Sequence, residues 1–203
     1  ISYLGLSMQY LHSVLRSNSI NEKGIGFTAL GELSQSLGTG YGIAGLTAHL
    51  APVAAAMKEV LGKRKKPNPG GTEAIIAAGQ LAQHIGLVWE PYARDFLDLL
   101  FATGLTPTLV TTLGQFSAKL TGLTSGIRDR LLETIHLVLA KRPYRYTTGP
   151  VAEAAKAAAA VNQGMDTKEL DSLTRLALST LATFTDLDHP YMLQYMCDCA
   201  VPF

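Results

Sequence analysis

Hydrophobic residues recur every three or four positions along most of the chain, which is the spacing of one face of a helix. Ile127, Leu131, Ile135 and Val138 form one such stripe. Two further stripes follow the same spacing: Tyr92, Phe96, Leu99 and Leu100, and then Leu170, Leu173, Ala177, Leu181 and Phe184. The alternation typical of strands is nearly absent, so the sequence predicts an all-α fold.

Helices are predicted where these stripes run, with two long connections between them. The predicted helices span 3–16, 21–37, 46–62, 72–85, 91–103, 107–121, 125–140, 167–184 and 190–200. Loop insertions are expected near 62–71 and 142–165, and the Ala-rich core of the second, 151–161, predicts one loose extra helix.

The ends of these helices carry their own signals. Gly38, Gly86 and Gly104 stand where helices should stop, because glycine readily takes the backbone conformation that ends a helix. Asp166, three residues before Glu169, resembles a capping arrangement at the start of the helix that follows.

One helix signature recurs, and it decides the architecture. The copies are residues 29–38, 77–86, 112–120 and, more loosely, 177–184. Each has a small residue at the same place, which would let a partner helix approach closely: Gly31, Gly79, Gly114 and Ser179. After three copies a second helix opens with a proline in its first turn: Pro52, Pro91 and Pro190. A single helix pair cannot bury its apolar face, so the pairs must stack. The sequence predicts a HEAT/armadillo-like α-α superhelix formed by residues 1–203 as one segment.

Composition narrows the classes of function. Hydrophobic residues make up 47% of the chain and charged residues 16%, which is ample for a packed core. The formal net charge of +1 gives no field that attracts nucleic acid, so no nucleic-acid partner is expected. The uncharged stretch 33–57 contains polar residues and Pro52, which argues against a membrane-spanning helix. Cys197 and Cys199 indicate a reducing compartment rather than a disulfide framework. Both ends have the look of a fragment of a longer protein.

No motif in the chain predicts catalysis, a cofactor or a metal. Residues 40–45 match the pattern G-x-G-x-x-G, but that site requires a preceding strand, and the preceding segment is predicted to be helical. The five histidines never form a zinc-peptidase helix pattern. The basic run 63–66 could bind acidic lipid, nucleic acid or an importer, and a solvated loop is the interpretation we favour. We therefore expect no catalytic, cofactor-binding or metal-ligating residue.

Several blocks resemble the N-terminal HEAT region of the TOR (target of rapamycin) protein kinases. The most specific are FATGLTPTLVTTL at 101–113 and IRDRLLETIHLVLAKRP at 127–143. The similarity continues through blocks in the same order: 27–31, 81–86, 176–184 and 191–197. The 142–165 loop is too divergent to align, and the proline-glycine of the family appears here only as Thr148-Gly149.

This resemblance implies a scaffold segment of a very large serine/threonine kinase of the PI3K-related family. The ATP site of such a kinase lies far toward its C-terminus, and none of its catalytic motifs occurs in this chain. The implied partners are a raptor-like adaptor and a sister TOR subunit, in nutrient and growth signalling. The implied location is the cytoplasm, with recruitment to endomembrane surfaces through partners and no direct insertion into membrane. The alternative is another HEAT scaffold, such as a nuclear import receptor or a phosphatase scaffold.

A candidate binding face follows from the solenoid. The second helices of successive repeats, 46–62, 91–103, 125–140 and 190–200, should line one continuous surface. Their polar positions, which the apolar stripes should turn away from the core, are Lys58, Arg94, Asp98, Arg130 and Glu133. By spacing, Arg94 should pair with Asp98, and Arg130 with Glu133.

The stripe around Leu131 gives a first test. Leu131→Asp should lower the free energy of unfolding by several kcal/mol (about 3), because it would bury an unpaired carboxylate. Chemical denaturation of the variant and the native chain measures the difference. A loss below about 1 kcal/mol, which is the size of a surface effect, would place Leu131 outside the core.

Overall fold

A computed structural model describes residues 3–37, 41–63 and 70–182 of the chain. Within these ranges the chain forms helices and no strand, which confirms the all-α prediction. The helices are α1 (Tyr3–Leu15), α2 (Ile20–Ser36), α3 (Tyr41–Thr47), α4 (Leu50–Gly62), α5 (Gly71–Ile85), α6 (Glu90–Ala102), α7 (Pro107–Lys119), α8 (Thr124–Leu139), α9 (Pro150–Asn162) and α10 (Thr167–Leu181). Short 3₁₀ turns at Gly86–Trp89 and Thr121–Leu123 precede α6 and α8.

The helices stack in two layers. The signature helices α2, α5, α7 and α10 pack side by side in chain order and form the first layer. Helices α4, α6 and α8 follow one another in the second layer, while α1 packs against α2, α3 and α4. This arrangement is a helical-repeat solenoid, as the recurring signature predicts.

The core lies between the layers and is continuous from α1 to α10. The stripe of α8 is buried, and Leu131 has no exposed surface. The largest side chains without solvent exposure come from both layers: Trp89, Phe27, Phe96, Phe101 and Phe116. Trp89 lies against Tyr92 and Phe96, with ring centroids 5.6 and 5.7 Å away, so the aromatic cluster fixes the corner between α5 and α6.

The signature glycines receive a side chain from the next repeat. A Cβ built on Gly31 would lie 1.7 Å from Oε1 of Gln80, and one on Gly79 would lie 1.8 Å from Oε1 of Gln115. Each glutamine directly follows the signature glycine of its own helix. The expectation of close approach at Gly31 and Gly79 is therefore confirmed, because the space of the missing side chain is filled by the glutamine of the next copy.

The fourth copy departs from this pattern. Its equivalent of the glutamine is Thr180, a shorter side chain. Among the described residues, nothing outside its own helix backbone lies within 4 Å of a Cβ built on Gly114, so the expected close approach is not seen there. A threonine cannot span the distance that a glutamine covers, and α10 consequently lacks this contact with α7.

The predicted helix 46–62 is wrong as a single element. The chain forms α3, turns at 48–49, and starts again as α4. Two glycines explain the shift. A Cβ on Gly45 would lie 2.6 Å from Cδ2 of Leu4 in α1, and a Cβ on Gly42 would lie 2.6 Å from the carbonyl oxygen of Leu37. Helix α3 therefore packs against α1 and against the end of α2, and α4 begins as a separate helix.

The 142–165 insertion holds the predicted extra helix, and this helix is firmly packed. Small residues of α9 are buried against α6 and α8: Ala152, Ala154, Ala155 and Ala158. At its end, the Asn162 amide accepts a hydrogen bond from the Leu105 N–H (2.8 Å) and donates one to the Leu105 carbonyl (2.9 Å). Gly104 makes room for α9: its φ is +99°, and a Cβ there would lie 2.5 Å from Val161.

Several predicted helix ends are also confirmed. Gly86 (φ +59°) caps α5, and Gly104 follows the last residues of α6. Asp166 accepts a hydrogen bond from the Glu169 N–H at 2.8 Å, and Pro91 stands in the first turn of α6. The predictions at Gly38, residues 64–66, Cys197, Cys199 and helix 190–200 lie outside the described residues. In the described ranges, no helix combines the length and apolar character needed to cross a bilayer.

The glycine contacts predict opposite effects for two alanine substitutions. Gly114→Ala should raise the free energy of unfolding by about 1 kcal/mol, because alanine favours the helix and meets no neighbour. Gly79→Ala should give no gain, or a loss of up to about 1 kcal/mol, because it displaces Gln115 and presses on Thr112. Urea denaturation of both variants makes the comparison. Equal gains at the two positions would show that Gln115 does not fill the space beside Gly79.

Candidate protein-binding face

Two ion pairs cross the second layer and join its helices. Lys58 of α4 bonds to Asp95 of α6, with Nζ to Oδ2 at 2.9 Å. Arg130 of α8 bonds to Asp98 of α6, with Nε to Oδ1 at 2.6 Å. These four side chains connect the second helices of three successive repeats. Asp95 is the one among them that the sequence analysis did not predict.

The two ion pairs differ in their solvent exposure. The side chains of Lys58 and Asp95 are 38% and 61% exposed, so this pair faces solvent. Arg130 and Asp98 are 20% and 35% exposed, and Arg130 also donates to the Gly126 carbonyl. The α4–α6 side of the face is accessible, whereas the α6–α8 side mainly holds the helices in place.

Arg94 lies on the same face of α6 but pairs with Glu90 at 3.0 Å, rather than with Asp98 as predicted. Glu90 also accepts a hydrogen bond from the Gly122 N–H, which links α6 to the turn before α8. Glu90, one turn before Arg94, is held in place by the Gly122 N–H, whereas Asp98, one turn after Arg94, is bonded to Arg130. The Arg94 side chain itself is 61% exposed.

Glu133 does not belong to this face, which corrects the prediction. Its side chain is buried, and it accepts hydrogen bonds from three successive backbone N–H groups of the following loop. These come from Tyr144 (2.9 Å), Arg145 (2.8 Å) and Tyr146 (3.1 Å). A buried carboxylate needs such donors. Glu133 is therefore the anchor of the 142–149 loop, and Arg130 pairs with Asp98 instead.

His136 strengthens the same anchor. The buried ring donates from Nδ1 to the Arg142 carbonyl at 2.6 Å, since a carbonyl oxygen can only accept. Its ring also lies 5.6 Å from that of Tyr144. His136 is therefore packed in the interior. Together with Glu133 it folds the chain back after α8, so that α9 can reach α6 and α8.

A further ion pair joins α2 of the first layer to α4 of the second. Lys23 of α2 is buried and bonds to both carboxylate oxygens of Glu59 in α4, each at 2.9 Å. Lys63 bonds to the same carboxylate at 2.7 Å. The hydrogen bond from Lys63 and then that from Lys23 lower the pKa of Glu59. Lys63, the first residue of the basic run, is thus engaged within the chain.

The described residues contain no group of three or more metal-ligating side chains. The G-x-G-x-x-G segment follows helix α2 rather than a strand, as the sequence predicts, and Gly40 lies outside the described ranges. Gly42 and Gly45 serve helix packing, as their contacts with Leu37 and Leu4 show.

The chain is similar to two curated plant proteins, both named serine/threonine-protein kinase TOR. It is 30% identical over 189 residues to the protein of Arabidopsis thaliana. It is 31% identical over 198 residues to that of Oryza sativa subsp. japonica. Each comparison covers 93% of this chain but only 7% of the relative, so the chain corresponds to a small segment of those proteins. The resemblance to TOR kinases is confirmed at this level.

Two other comparisons give no match. No protein-family model matches the chain. No solved structure matches it significantly either.

The Glu133 anchor predicts a specific loss. Glu133→Gln should lower the free energy of unfolding by about 2 kcal/mol, because an amide nitrogen cannot accept and leaves backbone N–H groups unpaired. Trypsin should also cut faster after Arg145. The control Glu32→Gln, at an exposed position of α2, should change stability by less than about 0.5 kcal/mol. Equal unfolding and equal cleavage of the two variants would contradict the anchoring role.

Proposed function

We propose that this chain is a non-catalytic scaffold segment of a TOR-type serine/threonine kinase. In this role it holds a raptor-like adaptor or a sister kinase subunit and supports assembly of the signalling complex. The observation that carries the proposal is the similarity to TOR of two plants along 93% of the chain. Because both relatives are TOR kinases, we prefer this role to that of a nuclear import receptor or phosphatase scaffold.

The two-layer stack supports a binding role. Its second layer carries ion pairs between neighbouring helices, Lys58 with Asp95 and Asp98 with Arg130. Side chains that are already fixed lose less conformational freedom when a partner binds. Helix α9 packs against α6 and α8 at one end of this layer. We therefore narrow the proposed surface to the α4–α6 side, where Lys58, Arg94 and Asp95 face solvent.

The kinase activity itself belongs, in this proposal, to another part of the parent protein. The segment acts in the cytoplasm and reaches endomembrane surfaces through its partners. Its contribution is positional: it presents one charged face in a fixed geometry. Charge on such a face sets the choice of partner and the association rate more than the total affinity.

Charge reversal on the α4–α6 side tests the proposal. The parent kinase with Lys58→Glu and Arg94→Glu should co-purify with its adaptor at a level reduced about fivefold or more, since each lost exposed pair contributes up to about 1 kcal/mol. In the isolated chain the same changes break the exposed Lys58–Asp95 pair and the Arg94–Glu90 pair, so the free energy of unfolding should fall by no more than about 1 to 2 kcal/mol.

A matched control lies in the first layer. Lys119→Glu with Arg175→Glu makes the same change of charge on exposed positions of α7 and α10. This variant should retain the adaptor and subunit. Equal retention by both double variants would contradict the proposed face, and equal loss would point to net charge alone.

A further inference from the structure

A contact between two histidines joins the first helix to the second layer. Nε2 of His12, in α1, lies 2.9 Å from Nδ1 of His49, at the turn before α4. The ring centroids are 5.1 Å apart. The His49 side chain makes no capping bond to its own helix and instead contacts His12.

The contacts that bury α1 in the core are apolar. Met8, Leu11 and Leu15 are buried in the core, and Leu4 lies over Gly45 of α3. Apolar packing does not depend on pH, whereas the histidine contact does. The pair is consequently the place where protons can change how α1 is held.

The chemistry of the pair limits how many protons it accepts. A hydrogen bond between two imidazoles needs a hydrogen on one facing nitrogen and a lone pair on the other. One added proton leaves a donor and an acceptor between the rings. A second proton places two N–H groups and two positive charges against each other, and the bond is lost.

The surroundings oppose protonation. Burial, and then the charges of His49 and Arg16, lower the pKa of His12. Helix α3 carries no charged side chain, and the charges of α4 lie in its last two turns. In α2, Lys23 is bonded to Glu59 and Glu22 to Ser17, and Glu32 stands near the far end. None of these carboxylates contributes to the shift in the pKa of His12. They therefore do not offset the positive charge that His12 gains when it is protonated.

We propose that the His12–His49 pair is a proton-sensitive latch that holds α1 on the solenoid at neutral pH and releases it on acidification. A histidine whose pKa is depressed in the folded state stabilises that state fully above the unfolded value, about 6.5. The stabilisation is lost as the pH falls below that value. Release would uncover the apolar surfaces of α2, α3 and α4 that α1 covers.

Hydrogen exchange resolves α1 from the rest of the chain. Amide exchange of the 203-residue chain is measured at pH 7.5 and 5.5, with EDTA present and corrected for intrinsic rates. The opening equilibrium of α1 should rise by about threefold to tenfold at pH 5.5, since one depressed histidine gives at most about tenfold per pH unit. Amides of α7, which contains no histidine, should change less than about twofold.

Variants assign the effect to the pair. His12→Gln should abolish the acid response, because its amide oxygen can accept from a protonated His49. His84→Gln, on α5, should keep the response of the native chain. A full response in His12→Gln, or none in the native chain, would overturn the latch. If His12→Gln releases α1 even at pH 7.5, histidine NMR of the native chain decides: the latch requires His12 to take up its proton over the pH range in which α1 opens.

Discussion

Close approach of neighbouring signature helices is the constraint on which the rest of the structure depends. It is achieved where the space of a missing side chain is filled by the next repeat: Gln80 over Gly31, and Gln115 over Gly79. Each contact limits how far one helix can slide against the next, because the glutamine side chain occupies the space above the glycine. The glycine–glutamine contacts therefore determine how α2, α5 and α7 stack. They also position the second-layer helices, which the chain connects to these three helices.

The second layer depends on that stacking. Pairs such as Lys58–Asp95 and Asp98–Arg130 form only if α4, α6 and α8 arrive at the right separation. The α9 insertion then adds to the layer through Asn162, whose amide replaces a backbone partner for Leu105. Surface pairs of this kind add little to stability. Their effect is to make the α4–α6 side a fixed pattern of charge, which is what the proposed scaffold function uses.

Much of this fold is predictable from the sequence, because periodic stripes and a repeated glycine are local signals. The all-α class, most helices and the two-layer stack follow from them. The role of the glutamines could have been inferred, since they follow the glycine in two copies and are replaced by Thr180 in the fourth. The candidate face was harder to predict. Glu133 looks like a surface residue by spacing, and only the fold of the 142–149 loop brings three N–H groups to it.

A double-mutant cycle at Gly31 and Gln80 tests the central claim most directly. The free energy of unfolding is measured for Gly31→Ala, Gln80→Ala and the combined variant. In the native background the new methyl group should displace Gln80. In the Gln80→Ala background it should instead gain the helix preference of alanine. The account predicts a coupling of about 1 kcal/mol between the two positions. Additivity within about 0.5 kcal/mol would show that the two residues are independent, and that another contact sets the stacking of the repeats.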